Sequence, residues 1–274
     1  MRASLRRPLR RAVAALARFT RPRTGGPLVR ILTYHRVNDT HPRDRLTVHP
    51  QAFAAQMEEL RKTRSVITLE EAVSALRGDR PLPPRAVAVT FDDGYRDNFT
   101  FAVPILEQSG FSATFFIATG YIGTATTLDR YRACCDEDGM LDWDQVGEMR
   151  ARGHAIGGHG REHLELAGLS PAAARAEIEA CQDDIAKRLG APASLFCYPR
   201  GSETPDVRRL VTSAGFRAAC TVEPGGNGAG TDLLGLRRTE VSGDDEIADF
   251  RLKLDGEFDG WHRLVQLSHT WRVA

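Results

Sequence analysis

The stretch Arg85-Ala86-Val87-Ala88-Val89-Thr90-Phe91-Asp92-Asp93-Gly94 decides how this chain is interpreted. An apolar run ends in two acidic residues and a glycine. A short uninterrupted apolar run is typical of a buried strand in a parallel sheet. Carboxylates at the carboxyl end of such a strand stand where βα folds place their active sites. Adjacent acids repel, so a cation or strong hydrogen bonds are expected beside them. Taken alone, the same residues also fit a solvated Asp-Asp-Gly turn.

Strand and helix patterns alternate on both sides of this stretch. Four glycines each follow a predicted helix and precede a predicted strand, where a left-handed residue closes the helix at no steric cost: Gly110, Gly153, Gly190 and Gly215. The repeated order helix, glycine, strand predicts βα units around a parallel sheet. The number of units favours a barrel over an open sheet. Strands are predicted at 28–34, 65–69, 85–91, 112–118, 154–156, 194–198, 216–221 and 236–241, and helices at 50–62, 70–77, 98–109, 142–152, 170–189, 205–214 and 244–254.

Composition narrows the class of protein. The chain has 274 residues, of which 42% are hydrophobic and 27% charged, values typical of a globular protein with a sizeable core. A net charge of +1 gives no global field for nucleic acid. No apolar run approaches the ~18 residues of a membrane-spanning helix. Five cysteines without clustered spacing do not describe a disulfide framework. With no second break in composition, one catalytic domain is predicted at 28–274.

The first 27 residues differ from the rest, with eight arginines and no acidic residue. The apolar run at 12–17 is too short for the core of a secretory signal. Leu9, Val13, Leu16 and Phe19 fall at helical spacing, so an amphipathic helix on anionic lipid is one interpretation. A solvated tail and a misplaced start codon are the alternatives. We therefore predict a cytoplasmic protein, with peripheral contact to the inner membrane through residues 1–24.

A histidine pair supplies a second chemical motif. His159 and His163 follow the strand predicted at 154–156, and that spacing can aim both imidazoles at one point. One Asp with two His makes three protein ligands and leaves positions open for water, the ligand count of a catalytic metal site. The spacing alone is weak evidence, because a chain with eight histidines gives such pairs by chance.

Together, the segment 90–94 and the His pair resemble the polysaccharide deacetylase family, which includes the nodulation chitooligosaccharide deacetylases. The resemblance covers nearly all of 28–274. Supporting segments are LTYHRV at 32–37, MLDWD at 140–144, FCYPRG at 196–201 and LRR at 236–238. The resemblance implies an α/β fold, a distorted and incomplete (β/α) barrel. It also implies hydrolysis of N-acetyl groups from amino sugars, in bacterial glycan synthesis or modification.

The resemblance also implies roles for individual residues. Asp93, His159 and His163 would hold one divalent metal ion, with zinc favoured and cobalt or nickel also accepted by such ligands. Asp92 would be the general base. The remaining candidates are the substrate-binding residues Tyr34, Trp143, Tyr198 and Arg200. The backbone N–H of Arg200 would face the oxyanion.

Two features depart from the common family pattern. Many members take the general acid from a histidine near the C-terminus, for which His269 is the candidate here. A branch similar to poly-N-acetylglucosamine deacetylases takes it from a Tyr-His strand end, which favours His35. The family arginine that braces the base is also missing, because Cys197 stands in its place; Arg237 or Arg238 could replace it. The insertion-like segment 121–142 receives no role.

Two other functions fit the same residues. A barrel that binds sugar without cleaving it would keep the fold and lose activity. A metal phosphoesterase could also use Asp and His ligands, although it usually needs more of them for two metals. Release of acetate from an N-acetylated glycan separates the deacetylase from both.

Overall fold

The computed structural model describes residues 26–40, 44–124, 128 and 139–260. The predicted tail at 1–24 and the candidate acid His269 lie outside these residues, as does most of 121–142. Within the described part, no helix combines the length and the apolar character needed to cross a membrane.

Parallel strands form the centre of the fold. The main sheet runs β10-β1-β5-β6-β7-β8-β9, and β4 pairs with β5 beside β6. A parallel bridge from Cys220 to Leu236, just before β10, joins β9 back to the start of the sheet. The predicted α/β fold, a distorted and incomplete (β/α) barrel, is therefore confirmed. The strands are β1 Val29–Tyr34, β2 Arg36–Val37, β3 Thr47–Val48, β4 Ser65–Val66, β5 Ala86–Phe91, β6 Thr114–Ile117, β7 Ala155–Gly158, β8 Leu195–Cys197, β9 Ala218–Cys220 and β10 Arg238–Glu240.

Helices cover the outside of the strands, and their ends follow the capping signals of the sequence. Ser170 caps the longest helix by accepting from the N–H of Ala173. Gly110, Gly153, Gly190 and Gly215 all have positive φ, between 74° and 94°, so the predicted helix–glycine–strand junctions are confirmed. The α-helices are α1 Pro50–Thr63, α2 Leu69–Arg77, α3 Val103–Gln108, α4 Trp143–Ala151, α5 Pro171–Leu189, α6 Pro205–Ser213 and α7 Ile247–Leu254.

The helix predicted at 98–109 is not α-helical throughout. It begins as a π-helix, Asn98–Ala102, in which Val103 donates to the carbonyl of Asn98 five residues earlier. Pro104 follows directly and has no N–H for the next bond, so the wide turn ends where α3 begins. The wide turn lies directly after the Asp-Asp-Gly segment, a placement often seen for π-turns at functional sites.

Successive side chains along β1 and β5 face two different environments, the layer of helices and a cleft. Tyr34 and Phe91, with ring centroids 5.4 Å apart, point outward into the layer of helix α1, where Phe53 joins them. Thr33 and His35 point the other way, towards a cleft at the carboxyl ends of the strands. Because every strand of the main sheet is parallel, all of these carboxyl ends meet at one rim.

Candidate active site

A cleft of about 830 Å³ opens at this rim. Five of the residues predicted to carry chemistry line it together, although they come from three separate parts of the chain. They are His35 after β1, Asp92 and Asp93 after β5, and His159 and His163 after β7. The tertiary structure thus brings the acidic doublet and the histidine pair to one place.

Asp92 and Asp93 reach the same cleft because the chain turns between them. In a continuing strand, two successive side chains would point to opposite faces. Asp93 instead has a φ of 78°, and Gly94 follows with 89°. A left-handed aspartate is uncommon, and such strain is typical of functional sites. The turn therefore sends both carboxylates into the cleft.

A loop, rather than a helix, brings the two histidines together. Their rings lie 4.8 Å apart at an angle of 70°. Gly160 and His163 both have positive φ, 72° and 55°, which folds the segment back on itself. Nδ1 of His159 lies 2.8 Å from the carbonyl oxygen of Cys197. A carbonyl can only accept, so Nδ1 carries a hydrogen and Nε2 is the ring atom that faces Asp93 and could bind a metal.

The Asp-His-His group fits a divalent metal. Oδ1 of Asp93 is 3.3 Å from Nε2 of His159 and 3.4 Å from Nε2 of His163. In a tetrahedral centre with bonds of about 2.0–2.2 Å, ligand atoms are roughly 3.3–3.6 Å apart. Burial would raise the pKa of Asp93, but hydrogen bonds from the two histidines outweigh it and hold that pKa well below its ordinary value. Asp93 is therefore ionised, as a metal ligand would need to be.

Arg238 takes the place of the missing family arginine. Its Nη1 and Nη2 each donate to one oxygen of Asp92 at 2.7 Å, and its Nε donates to the carbonyl of Thr221. Arg237 is exposed and does not make this contact. Burial would raise the pKa of Asp92, but the charge and hydrogen bonds of Arg238 outweigh it, so the pKa of Asp92 is lowered. Asp92 is thus buried and ionised.

The Cys197 thiol completes the surroundings of Asp92. Its Sγ lies 3.0 Å from Nη2 of Arg238 and 3.6 Å from Oδ2 of Asp92. Burial is the main cause that raises the pKa of this thiol. Cys197 therefore stays neutral and leaves room for an arginine that arrives from β10 instead of β8.

His35 lies at the edge of the cleft, and hydrogen bonds to neighbouring residues hold its backbone in place. Nδ2 of Asn98 donates to its carbonyl at 2.8 Å. Asp97 accepts from the N–H of Val37 and from Nε of Arg36, so Asp97 and Asn98, at the start of the π-helix, hold the chain at His35 and just after it. The ring Nδ1 of His35 is buried without a hydrogen-bond partner among the described residues. The ring as a whole lines the cleft, where a bound ligand would meet it.

Two of the predicted substrate-binding residues border the cleft. Arg200 has a φ of 54° and is exposed, with its guanidinium 2.7 Å from Glu165. Tyr198 is buried, and its hydroxyl donates to the carbonyl of Leu234. Tyr198 thus forms part of the cleft wall, and its hydroxyl is already hydrogen-bonded.

The prediction that Tyr34 and Trp143 bind substrate is wrong. Tyr34 is 0% exposed, and its hydroxyl donates to Gln56 on α1. Strand alternation turns it away from the cleft that its neighbour His35 faces. Trp143 begins α4, packs against the core, and has the guanidinium of Arg188 5.7 Å from its ring centre. It lies in the outer helical layer and is not part of the cleft wall.

Two residues that line the cleft, Glu240 and Arg45, were not predicted from the sequence. Glu240 lies next to Thr33 in the pairing of β10 with β1, and both line the cleft. Arg45 lies 2.6 Å from the Glu240 carboxylate. The alternation that turns Arg238 inward also turns Glu240 inward, so a period-two analysis of β10 could have found it.

Known proteins are similar to this chain in sequence. The polysaccharide deacetylase family matches residues 79–219. The Bacillus subtilis (strain 168) protein YxkH, which carries the name of a polysaccharide deacetylase, is 28% identical over 213 residues, 77% of this chain and 71% of that protein. The poly-beta-1,6-N-acetyl-D-glucosamine N-deacetylase of Escherichia coli (strain K12) is 29% identical over 122 residues, 43% of this chain but only 18% of that protein.

Solved structures share the fold. The Streptococcus pyogenes deacetylase PplD, in complex with acetate, superimposes with a TM-score of 0.73 at 23% identity, covering 84% of this chain and 99% of PplD. IcaB from Ammonifex degensii gives a TM-score of 0.71 at 25% identity, covering 85% of this chain and 97% of IcaB. The barrel described above is thus a known architecture.

Proposed function

The chain belongs to the polysaccharide deacetylase family, and from that premise we propose that it is a metal-dependent hydrolase of N-acetylated glycans. It removes N-acetyl groups from the amino sugars of an oligo- or polysaccharide in bacterial glycan synthesis or modification. One observation carries the proposal: an Asp-His-His group and a separate, braced carboxylate converge in one cleft.

Asp93, His159 and His163 would hold one divalent ion, with zinc favoured and cobalt or nickel accepted. When bound, such an ion lowers the pKa of a water molecule and polarises the amide carbonyl. The protein's own contribution is to keep Asp93 ionised and to hold His159 in the tautomer that presents Nε2.

Asp92 acts as the general base. Both of its oxygens accept from Arg238, and Oδ2 also accepts from the Cys197 thiol, so Oδ1 is the oxygen that keeps a lone pair for the proton of the attacking water. Because Arg238 holds Asp92 ionised and in place, the base is ready before substrate arrives. Correct placement of one proton acceptor contributes about 10²–10⁴ in rate.

His35 donates a proton to the departing nitrogen, so that acetate and a free amine leave. It lines the cleft on the side opposite the metal ligands' loop, and its ring makes no hydrogen bond to the described residues. The backbone N–H of Arg200 is proposed as the oxyanion donor, supported by its strained position at the cleft. The carbon–nitrogen bond breaks as water adds its hydroxyl to the acyl carbon.

We propose that the substrate is an N-acetylated glycan. The proposal also includes the location of the protein in the cell. We infer a cytoplasmic enzyme with peripheral membrane contact through residues 1–24 and with no nucleic-acid partner. The supporting observation is the contrast between the arginine-rich tail at 1–27 and residues 28–274, whose 36 acidic residues outnumber their 29 lysines and arginines.

Acetate release from a panel of N-acetylated chitooligosaccharides, with and without a chelator, tests the proposal. We expect release that stops on chelation and returns with Zn²⁺. Asp92→Asn should bind the metal and fold normally yet release no acetate, because an amide cannot take the proton. Sugar binding without release would identify a binding barrel, and turnover of phosphate esters alone would identify a phosphoesterase.

A further inference from the structure

A buried carboxylate on α5 lies directly behind the loop that carries the two histidines. Oε1 of Glu177 accepts from the backbone N–H of Glu162 at 2.6 Å. Glu177 is only 7% exposed. The fit is close, since a Cβ on Gly160 would lie 2.9 Å from the same Oε1. The carboxylate of Glu177 therefore packs closely against the loop.

A second contact from α5 holds the other side of the loop. Asp184, two turns after Glu177, accepts from the hydroxyl of Thr119 at 2.9 Å. The N–H groups of Thr119 and Gly120 donate to the carbonyls of Gly160 and Arg161. The backbone between the histidines therefore lies between the end of β6 and a polar strip of α5.

The two histidines depend on this loop to different degrees. His159 is 3% exposed in its side chain, and the carbonyl of Cys197 fixes its ring. The side chain of His163 is 14% exposed, and within the described ranges no hydrogen bond holds its Nδ1. The position of its ring is therefore set by the backbone, which is left-handed at His163 and anchored one residue earlier by Glu177.

We propose that Glu177 is a positioning residue for the metal centre, which fixes His163 through the N–H of Glu162. The inference rests on the proposed metal site and adds a residue that touches neither metal nor substrate. Its physical basis is that the hydrogen bond from the part-buried N–H of Glu162 to a side chain held on α5 restrains the loop before the ion binds. Without it, ordering the loop would oppose metal binding.

The test is the affinity for Zn²⁺, measured by competition with a chromophoric chelator. Glu177→Ala should weaken Zn²⁺ binding about 10–100-fold, the range seen when partners behind metal ligands are removed. Glu177→Gln keeps an acceptor oxygen at the same reach and should stay within about threefold of wild type. Glu177→Asp keeps the charge but withdraws the acceptor by one methylene, so it should lie between the two.

Gln182→Ala is the matched control. Gln182 lies on the same helix, is also 7% exposed, and also accepts a backbone N–H, that of Ala193. Its loop carries no proposed ligand, so the variant should lose thermal stability but bind Zn²⁺ like wild type. Equal losses of affinity in Glu177→Ala and Gln182→Ala would overturn the inference, since general destabilisation would explain both.

The remaining outcomes separate the inference from the function it rests on. Wild-type affinity in folded Glu177→Asp, or in Glu177→Ala, would show that Glu177 does not position His163. If wild type binds no Zn²⁺, the metal site itself is wrong and the proposed function fails with it.

Discussion

Removing the guanidinium of Arg238 is the sharpest test of how the cleft keeps its base charged. The change is Arg238→Met, which retains much of the apolar stem and removes both hydrogen bonds from the guanidinium to Asp92. Asp92 is 3% exposed and Arg238 also 3%, so water does not replace the lost partner. We expect a large loss of stability together with a loss of activity.

The magnitude follows from the burial of the pair. Breaking a buried ion pair by removing one partner costs about 3–5 kcal/mol, because the other charge is left uncompensated. For a chain of this size, each kcal/mol lowers Tm by about 2–4 °C, so a fall of roughly 6–20 °C is expected. Arg237→Met is the control: its side chain is exposed, and a change within about 0.5 kcal/mol is expected.

The dependence on pH has a definite sign. In wild type, Arg238 outweighs burial and the pKa of Asp92 is lowered, so the pair contributes stability at neutral pH and loses it only in strong acid. In the variant, burial is no longer opposed by Arg238, and only the weaker charges of His159 and His35 still act against it. The pKa of Asp92 should therefore rise, and protonation should relieve the buried charge. The deficit relative to wild type should therefore shrink as the pH falls from about 7 to 5.

Urea unfolding of the chelator-treated protein gives the free energies, and a double-mutant cycle isolates the pair. Adding Asp92→Asn to Arg238→Met should recover a large part of the lost stability, since a neutral amide replaces the unpaired charge. A cycle in which the two changes are additive within about 0.5 kcal/mol would refute the reasoning. So would a deficit that grows as the pH is lowered.

The other predictions concern the ligands, the acid and the tail. His163→Ala should lower the metal content measured by elemental analysis, and a full complement would contradict its role as a ligand. His35→Ala should reduce kcat by about 10²-fold or more at unchanged metal content, whereas His269→Ala should have little effect; the reverse would show that the acid comes from the C-terminal segment. Asn98→Ala frees the carbonyl of His35 and should lower kcat more than it raises KM, so a change in KM alone would argue against it. Deletion of residues 1–24 should abolish salt-sensitive sedimentation with anionic vesicles, and identical sedimentation before and after deletion would exclude a membrane role for the tail.

The sequence by itself determined the barrel and the chemistry of its rim. Buried strands appear in the sequence as apolar runs, and a left-handed glycine follows most of the described helices, so the periodic pattern identified the βα units. The Asp-Asp-Gly segment identified the rim that holds the cleft because the carboxyl ends of parallel strands share one edge. The proposed metal ligands followed from the ligand chemistry of Asp and His and from the family resemblance.

The tertiary structure decided which residues from distant parts of the sequence come into contact. Which arginine braces Asp92 depends on where β10 lies in the closed sheet, beside β1, and no local pattern distinguishes Arg238 from Arg237 until β10 is placed. Tyr34 and His35 were both predicted for the site, but a strand sends successive side chains to opposite faces, so only His35 could remain there. Glu177 lies fourteen residues beyond His163 in sequence, and its hydrogen bond to the loop exists only because α5 packs against the barrel. Local sequence encodes dihedral preference and burial, whereas these contacts depend on the packing of distant elements.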